Sequence, residues 1–385
     1  MQRRLLNADH LQFRDLVRTF IDREIAPYRE EWIANGLMPR PVWNKAGQAG
    51  LLGLSVPEEY GGAGVADFRY NAVLVEELCR AGALGLGSSF GIHANIVAPY
   101  LVRLTTEEQK KAWLPGFASG EIVTALAMTE PEAGSDLRAI RTTAVRHKGG
   151  WLINGQKTFI TNGVNADLFL VAVKTDPAAG HRGMSLILVP ATTPGFQRGR
   201  TLQKVGQAES DTAELFFDDA WVPENHLLGQ EGRGFYHLME GLPTERLSVS
   251  VMAVAVCETV LAMTVEYCNT RKAFSGRLID LQHVRFVLAE LASEIDIART
   301  YVDRCIEEYN AGTFDAIDAA KAKWWTTELQ RRVTDACLQL HGGYGYMREY
   351  PVAQAWLDGR VQTIWAGSTE TMKEIIGRTL VARPT

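Results

Sequence analysis

The sequence predicts an α+β protein in three regions, helical, then β, then helical. Three observations predict it. Apolar residues recur at helical spacing from Leu11 to about Gly120, the texture then changes to short apolar runs bounded by Gly, Asn, Asp and Pro, and long helical patterns return beyond Gly232-Arg233-Gly234. A chain of 385 residues also exceeds what one core usually fills. We therefore expect an N-terminal all-α domain at 1–122, a central β domain, barrel or sandwich, at 123–230, and a C-terminal helical domain at 231–385.

In the first region Leu16, Phe20, Ile21 and Ile25, and later Val73, Leu74 and Leu78, mark helix faces, with Pro27, Pro57, Gly61-Gly62 and Pro99 as punctuation. In the second, Trp151-Leu152-Ile153, Leu168-Phe169-Leu170-Val171-Ala172-Val173, Met184-Ser185-Leu186-Ile187-Leu188-Val189 and Glu214-Leu215-Phe216-Phe217 read as strands. The stretch 224–233, rich in Gly and polar residues, is the expected hinge. In the third, helices are expected over 247–267, 281–310 and 314–340, the last stopped by Gly342-Gly343.

Hydrophobic residues at 46%, charged residues at 22% and a net charge of -5 give no electrostatic reason to expect nucleic acid. Cys79, Cys257, Cys268, Cys305 and Cys337 form no C-x-x-C pair, so neither a metal site nor a disulfide framework is expected. An intracellular, cytoplasmic protein is the expectation. The start, Met1-Gln2-Arg3-Arg4-Leu5-Leu6, is followed at once by Asp9, Asp15, Asp22 and Glu24 in an amphipathic pattern, against a targeting peptide. No apolar run is expected to approach the roughly 20 residues that span a bilayer, so no membrane insertion is expected.

Thr129-Glu130-Pro131-Glu132-Ala133-Gly134-Ser135-Asp136 offers hydroxyls and open amides for close approach to a polar ring or phosphate, or is an ordinary loop. Asn154-Gly155 is a hairpin signal, and beyond it Phe159 and Thr161 share one face, with Ile160 on the other. That face could be a cofactor wall or half of a cross-strand pair. Arg271-Lys272-Ala273-Phe274 and Gln339-Leu340-His341-Gly342-Gly343 could hold a pyrophosphate, or could be a solvated helix end and a cap. No serine, histidine and aspartate arrangement, H-E-x-x-H or strand-borne G-x-G-x-x-G is present, and the eight histidines are read as structural.

Together and in this order, over nearly the whole chain, these segments resemble the acyl-CoA dehydrogenase family. Phe20-Ile21-Asp22-Arg23-Glu24-Ile25-Ala26-Pro27 and Pro57-Glu58-Glu59-Tyr60-Gly61-Gly62-Ala63-Gly64 join the motifs above in carrying the match. The resemblance implies FAD between the β domain and a C-terminal four-helix bundle, in a homotetramer built as a dimer of dimers. It implies that Thr129 contacts the pyrimidine end of the flavin, that Ser135 lies near both FAD and acyl-CoA, and that Phe159, Ile160 and Thr161 border the ring. Arg271, Phe274, Gln282, Gln339, Gly342 and Gly343 would come from a neighbouring subunit to the pyrophosphate and adenosine, and Ser368 and Glu370 would contact the adenosine half in the same subunit. Arg246, Ala366 and Gly367 would meet the substrate. One departure is Ser275 directly after Phe274, where relatives commonly carry glycine.

The reaction implied is removal of a C2 proton and a C3 hydride from an acyl-CoA thioester, giving the trans-2-enoyl thioester, with electrons passed on to an electron-transfer flavoprotein. Such a reaction needs a carboxylate base. Most family members carry it just before the Gly of the final motif, but Gln362-Thr363-Ile364-Trp365-Ala366-Gly367-Ser368-Thr369-Glu370 has alanine there. The isovaleryl and long-chain branch instead carries a glutamate before an arginine on a helix, which Pro243-Thr244-Glu245-Arg246 matches. Glu245 is the expected base, and the backbone N–H of Ala366 the expected oxyanion donor. Taken without the family, Glu245 would be a first-turn carboxylate favoured by the helix dipole after Pro243. Competing readings are a flavin monooxygenase or oxidase on this fold and an inactive FAD-binding partner.

Overall fold

The structure, a computed structural model, describes residues 3–381. Met1 and Gln2, part of the start read above as arguing against a targeting peptide, lie outside the described residues. Seven α-helices come first: α1 (Ala8–Phe20), α2 (Arg29–Asn35), α3 (Pro41–Gln48), α4 (Phe68–Arg80), α5 (Leu84–Gly91), α6 (Ala98–Leu104) and α7 (Glu107–Ser119). Local chemistry starts several of them. Asn7 and Thr106 cap α1 and α7 in reciprocal capping boxes, and the Asp67 carboxylate accepts the Arg69 N–H at the head of α4.

The strands are β1 (Thr124–Ala127), β2 (Thr143–His147), β3 (Gly150–Thr161), β4 (Leu168–Lys174), β5 (Met184–Pro190), β6 (Phe196–Thr201), β7 (Thr212–Pro223) and β8 (Leu227–Leu228). They form one mixed sheet in the order β6-β7-β3-β2-β4-β5-β8, with β1 parallel to β4. All seven residues of β4 are buried. Phe169, Val171 and Val173 pack against Val17, Phe20 and Trp43, while Leu168, Leu170 and Ala172 pack against Leu101 and Phe117 on the other face. Helices thus cover both faces, which explains the unbroken apolar run.

Asn154-Gly155 is not a hairpin turn. It lies inside β3 at a bulge, where Gly155 has φ +146° and a Cβ would fall 2.6 Å from the Thr142 hydroxyl. The hairpin before β3 uses Lys148 and Gly149, whose φ angles of 47° and 73° suit a two-residue turn.

The last region holds α8 (Gly234–Thr270), a small hairpin β9 (Lys272–Ala273) and β10 (Gly276–Arg277), then α9 (Gln282–Asn310), α10 (Ala316–His341), α11 (Pro351–Gly359) and α12 (Thr369–Leu380). Helix α8 begins well before the expected residue 247 and carries Pro243 in its interior. It is long and apolar enough to cross a membrane, contrary to the sequence expectation, but 67% of its apolar window is buried inside the fold. Its Leu247, Val251, Val254 and Val260 sit between Val75 and Cys79 of α4 and Leu291, Leu329 and Val333 of the bundle. It is a core helix.

Candidate active site

Glu245 stands about three turns inside α8, so the first-turn reading of this residue is corrected: the helix dipole falls off within the first turn and does not explain it. Its side chain is buried, and Oε1 makes no hydrogen bond. Burial pushes its carboxyl up to about 7, against the opposing charge of Arg246 and the hydroxyl of Tyr100. A buried carboxyl in that range can hold or release a proton near neutrality. The helix face beneath it is fixed by a buried chain in which Asn71 donates to Asn95 at 2.6 Å and Asn95 donates to Ser248 at 2.9 Å.

The second element is the turn before α12. Ala366 and Gly367 have φ of 51° and 92°, consecutive left-handed residues that bend the chain sharply. Two cations hold the turn. Arg246 Nε donates to the Ala366 carbonyl at 3.3 Å, and Lys323 Nζ donates to the Gly367 carbonyl at 2.6 Å. Lys323 is wholly buried, and burial followed by the charge of Arg246 pulls its ammonium down to about 7, with Glu328 and Glu370 opposing. The Ala366 N–H meets no acceptor among the described residues. Ser368 caps α12 through its hydroxyl to the Thr371 N–H, and with Glu370, Glu328, Arg331 and Arg360 it lines a cleft of about 300 Å³.

The β-domain candidates gather at one place. Thr158 N–H donates to the Thr129 carbonyl at 2.9 Å, and the fully buried Lys157 ammonium binds the Met128 carbonyl at 3.1 Å, Glu130 at 2.7 Å and the Ala172 carbonyl at 2.7 Å. Thr129 is therefore clamped on both sides to β3. Phe159 lies in a second bulge with φ +58° and is 67% exposed, while Ile160 is buried and Thr161 half-buried. The bulge turns a large ring out of the sheet. Ser135 is exposed on the same loop as Thr129.

A third group lies at the far end of the bundle. Arg271 stacks over Tyr344 at 5.2 Å, and Tyr267 stacks on His341 at 4.2 Å beside Gly342 and Gly343, so the Arg271 segment and the Gln339 turn adjoin. Phe274, at the β9–β10 turn with φ +54°, is 96% exposed, and Gln282 and Gln339 are exposed too. Among the described residues, no hydrogen bond, ion pair or ring contact links this group to Thr129, Phe159 and Thr161 within one chain. Sequence reasoning passed over Tyr100, Lys157 and Lys323. Lys157 lies between Asn154-Gly155 and Phe159 in the sequence; the other two carried no local signal.

The residues fit a flavin dinucleotide. Two phenylalanine rings stand out of the fold on left-handed backbone, the hydroxyls of Thr129, Ser135 and Thr161 are free of internal partners, and the Arg271 guanidinium pairs with no carboxylate among the described residues. No cluster suited to a metal ion occurs among the described residues.

Comparison with known proteins gives three matches along the chain: the acyl-CoA dehydrogenase N-terminal domain at residues 7–121, its middle domain at 125–220 and its C-terminal domain at 232–381. The long-chain specific acyl-CoA dehydrogenase of Rattus norvegicus mitochondria is 43% identical over 99% of this chain and 88% of its own. The mitochondrial isovaleryl-CoA dehydrogenase of Solanum tuberosum is 37% identical over 98% and 91%. Among solved structures, an acyl-CoA dehydrogenase from Geobacillus kaustophilus superposes with a TM-score of 0.96 at 49% identity, covering 99% of this chain and 100% of that one. One complexed with FAD from Bacillus anthracis has a TM-score of 0.90 at 30% identity, over 98% and 67%.

Proposed function

The chain belongs to the acyl-CoA dehydrogenase family, an FAD-dependent oxidoreductase acting on acyl-CoA, and from that premise we propose that Glu245 is its base and that its substrate is a long-chain or branched acyl-CoA. The observation that carries the first part is a buried, incompletely satisfied carboxyl held near neutrality at Glu245, together with alanine at 366. The second part is supported by the relatives: 42–44% identity to long-chain enzymes exceeds the 36–37% to isovaleryl enzymes.

FAD, when bound, supplies the two-electron oxidant, and Thr129, Phe159 and Thr161 would hold its ring end with Arg271, Phe274, Gln282 and the Gln339 to Gly343 turn at the other. The protein does the rest. The Glu245 carboxylate takes the C2 proton in a site dry enough to keep the base strong. The Ala366 N–H, aimed by the turn that Arg246 and Lys323 hold, donates to the thioester carbonyl as charge builds there. A backbone donor works with any side chain, so alanine at 366 leaves this task intact.

An electron-transfer flavoprotein is the proposed acceptor, following the family resemblance, and a homotetramer the proposed assembly. The separation of the Arg271 group from the Thr129 group supports the latter, since a second subunit would complete the cofactor site.

The test is anaerobic titration of the FAD enzyme with straight and branched acyl-CoAs of graded length, in parent and Glu245→Gln. Bleaching of flavin absorbance by long or branched thioesters in the parent alone is the expected result. Equal bleaching in both proteins removes Glu245 as the base, and preference for short straight chains removes the substrate assignment.

A further inference from the structure

We infer that Tyr100 is a positioning residue for Glu245, donating its hydroxyl to the carboxylate from a seat made by Gly241. The inference rests on the reading of Glu245 as base.

The geometry starts from helix periodicity. Positions 241 and 245 lie one turn apart on one face of α8, and a helical side chain leans back over the turn before its own Cα. Glu245 therefore leans over position 241. At that position there is no side chain, and a Cβ built there would come 2.0 Å from the Tyr100 hydroxyl and 2.6 Å from Cζ. Glycine is what lets the Tyr100 ring, brought in on α6, lay its hydroxyl against α8 at the spot toward which the carboxylate leans.

Tyr100 is 1% exposed, and its hydroxyl makes no aligned hydrogen bond, just as Glu245 Oε1 makes none. Two unsatisfied buried groups facing one another across a glycine are complementary: one O–H, one carboxylate oxygen. Burial keeps the phenol protonated far above its ordinary range, so it remains a donor throughout the working pH. The same hydroxyl favours the ionised form of Glu245. Its role would be to hold the carboxylate toward the substrate and to limit how far burial raises its proton affinity.

The other charges facing this pair are few. Arg246 adjoins Glu245 on α8, Lys323 reaches the neighbouring turn from α10, and Arg103 of α6 and Glu240 of α8, 3.9 Å apart and both more than half exposed, flank Tyr100. None of these replaces a lost phenol hydroxyl as a neutral donor.

The test uses holoenzyme variants Tyr100→Phe, Gly241→Ala and Glu245→Gln, with two readouts across pH: single-turnover flavin reduction, and the infrared band of the protonated carboxyl without substrate. Tyr100→Phe removes one oxygen with no other partner and should fold like the parent. Its rate midpoint and its carboxyl band should both move up by about one pH unit, making reduction roughly tenfold slower near pH 6 and little changed on the alkaline plateau. Gly241→Ala, which pushes the hydroxyl off its seat, should move both midpoints the same way; if it does not fold, Tyr100→Phe decides. Midpoints that stay in place or fall in Tyr100→Phe overturn the inference, as does a change confined to KM, which would make Tyr100 a pocket wall. Should Glu245→Gln reduce flavin at the parental rate, the base assignment itself fails, whatever Tyr100 does.

Discussion

Glu76 on α4 and Glu245 on α8 are both almost fully buried, 1% and 4% exposed, on helices that pack against each other, yet their carboxyls lie far apart in acidity. Burial pushes Glu76 up, but Arg299 and Arg3 at 2.7 Å, with Arg80 at 3.5 Å, outweigh it and hold the carboxyl down at about 2. Glu245 has one arginine neighbour, and that guanidinium is turned to the Ala366 carbonyl. Its carboxyl rises to about 7. The residue and the burial are the same; the number of cations committed to each carboxylate decides which is a structural pin and which is left to serve as the proposed base.

The comparison can be broken at either end. Glu245→Gln should lower flavin reduction by roughly two to four orders of magnitude, as expected for loss of a general base, with FAD still bound by absorbance. Glu76→Gln should do the opposite: leave the rate per folded site unchanged but destabilise the protein by about 3–5 kcal/mol in urea melts, because Arg299 and Arg3 keep buried charge without a partner. A stable Glu76→Gln variant would sink the structural half.

Stability against pH sharpens it further. Glu76, depressed in the fold, contributes stability that is present above about pH 4.5 and lost on acidification toward its folded value near 2. Glu245, raised in the fold, contributes below about 4.5 and loses that contribution as pH climbs through 7. At about pH 8 to 9 the Glu245→Gln variant should therefore outlast the parent in urea, by at most about 3 kcal/mol.

Smaller effects are expected at the turn. Lys323→Met should reduce the rate about tenfold with little change in KM, since it loosens the oxyanion donor rather than the binding surface; a KM effect alone would contradict this. Smallest of all, adding Ala366→Glu to Glu245→Gln should restore less than about tenfold, because position 366 lies on left-handed backbone against the bundle core and a longer side chain there has little freedom.

The three-region plan was legible because periodicity changes with structure: Leu168 to Val173 reads as a strand, and the helices on both of its faces explain why its apolar run is unbroken. Glu245 and Ala366 were legible as a pair through the family resemblance. What stayed hidden depends on contacts made across the chain. Asn154-Gly155 has the local chemistry of a hairpin, but the pairing of β3 with β7 overrides it and makes a bulge. Pro243 suggested a helix start, and tertiary packing carries α8 through it. Tyr100 and Lys323 lie about 145 and 43 residues from the groups they serve, and no periodicity reports such partners.

The central claim, that burial leaves Glu245 a base poised near neutrality, is tested most directly by the pH dependence of single-turnover flavin reduction in the parent enzyme with saturating acyl-CoA. The expected result is a rate that climbs about tenfold per pH unit on the acid side and levels off above a midpoint near 7. A rate already flat from about pH 5 upward, as an ordinary exposed carboxylate would give, contradicts it.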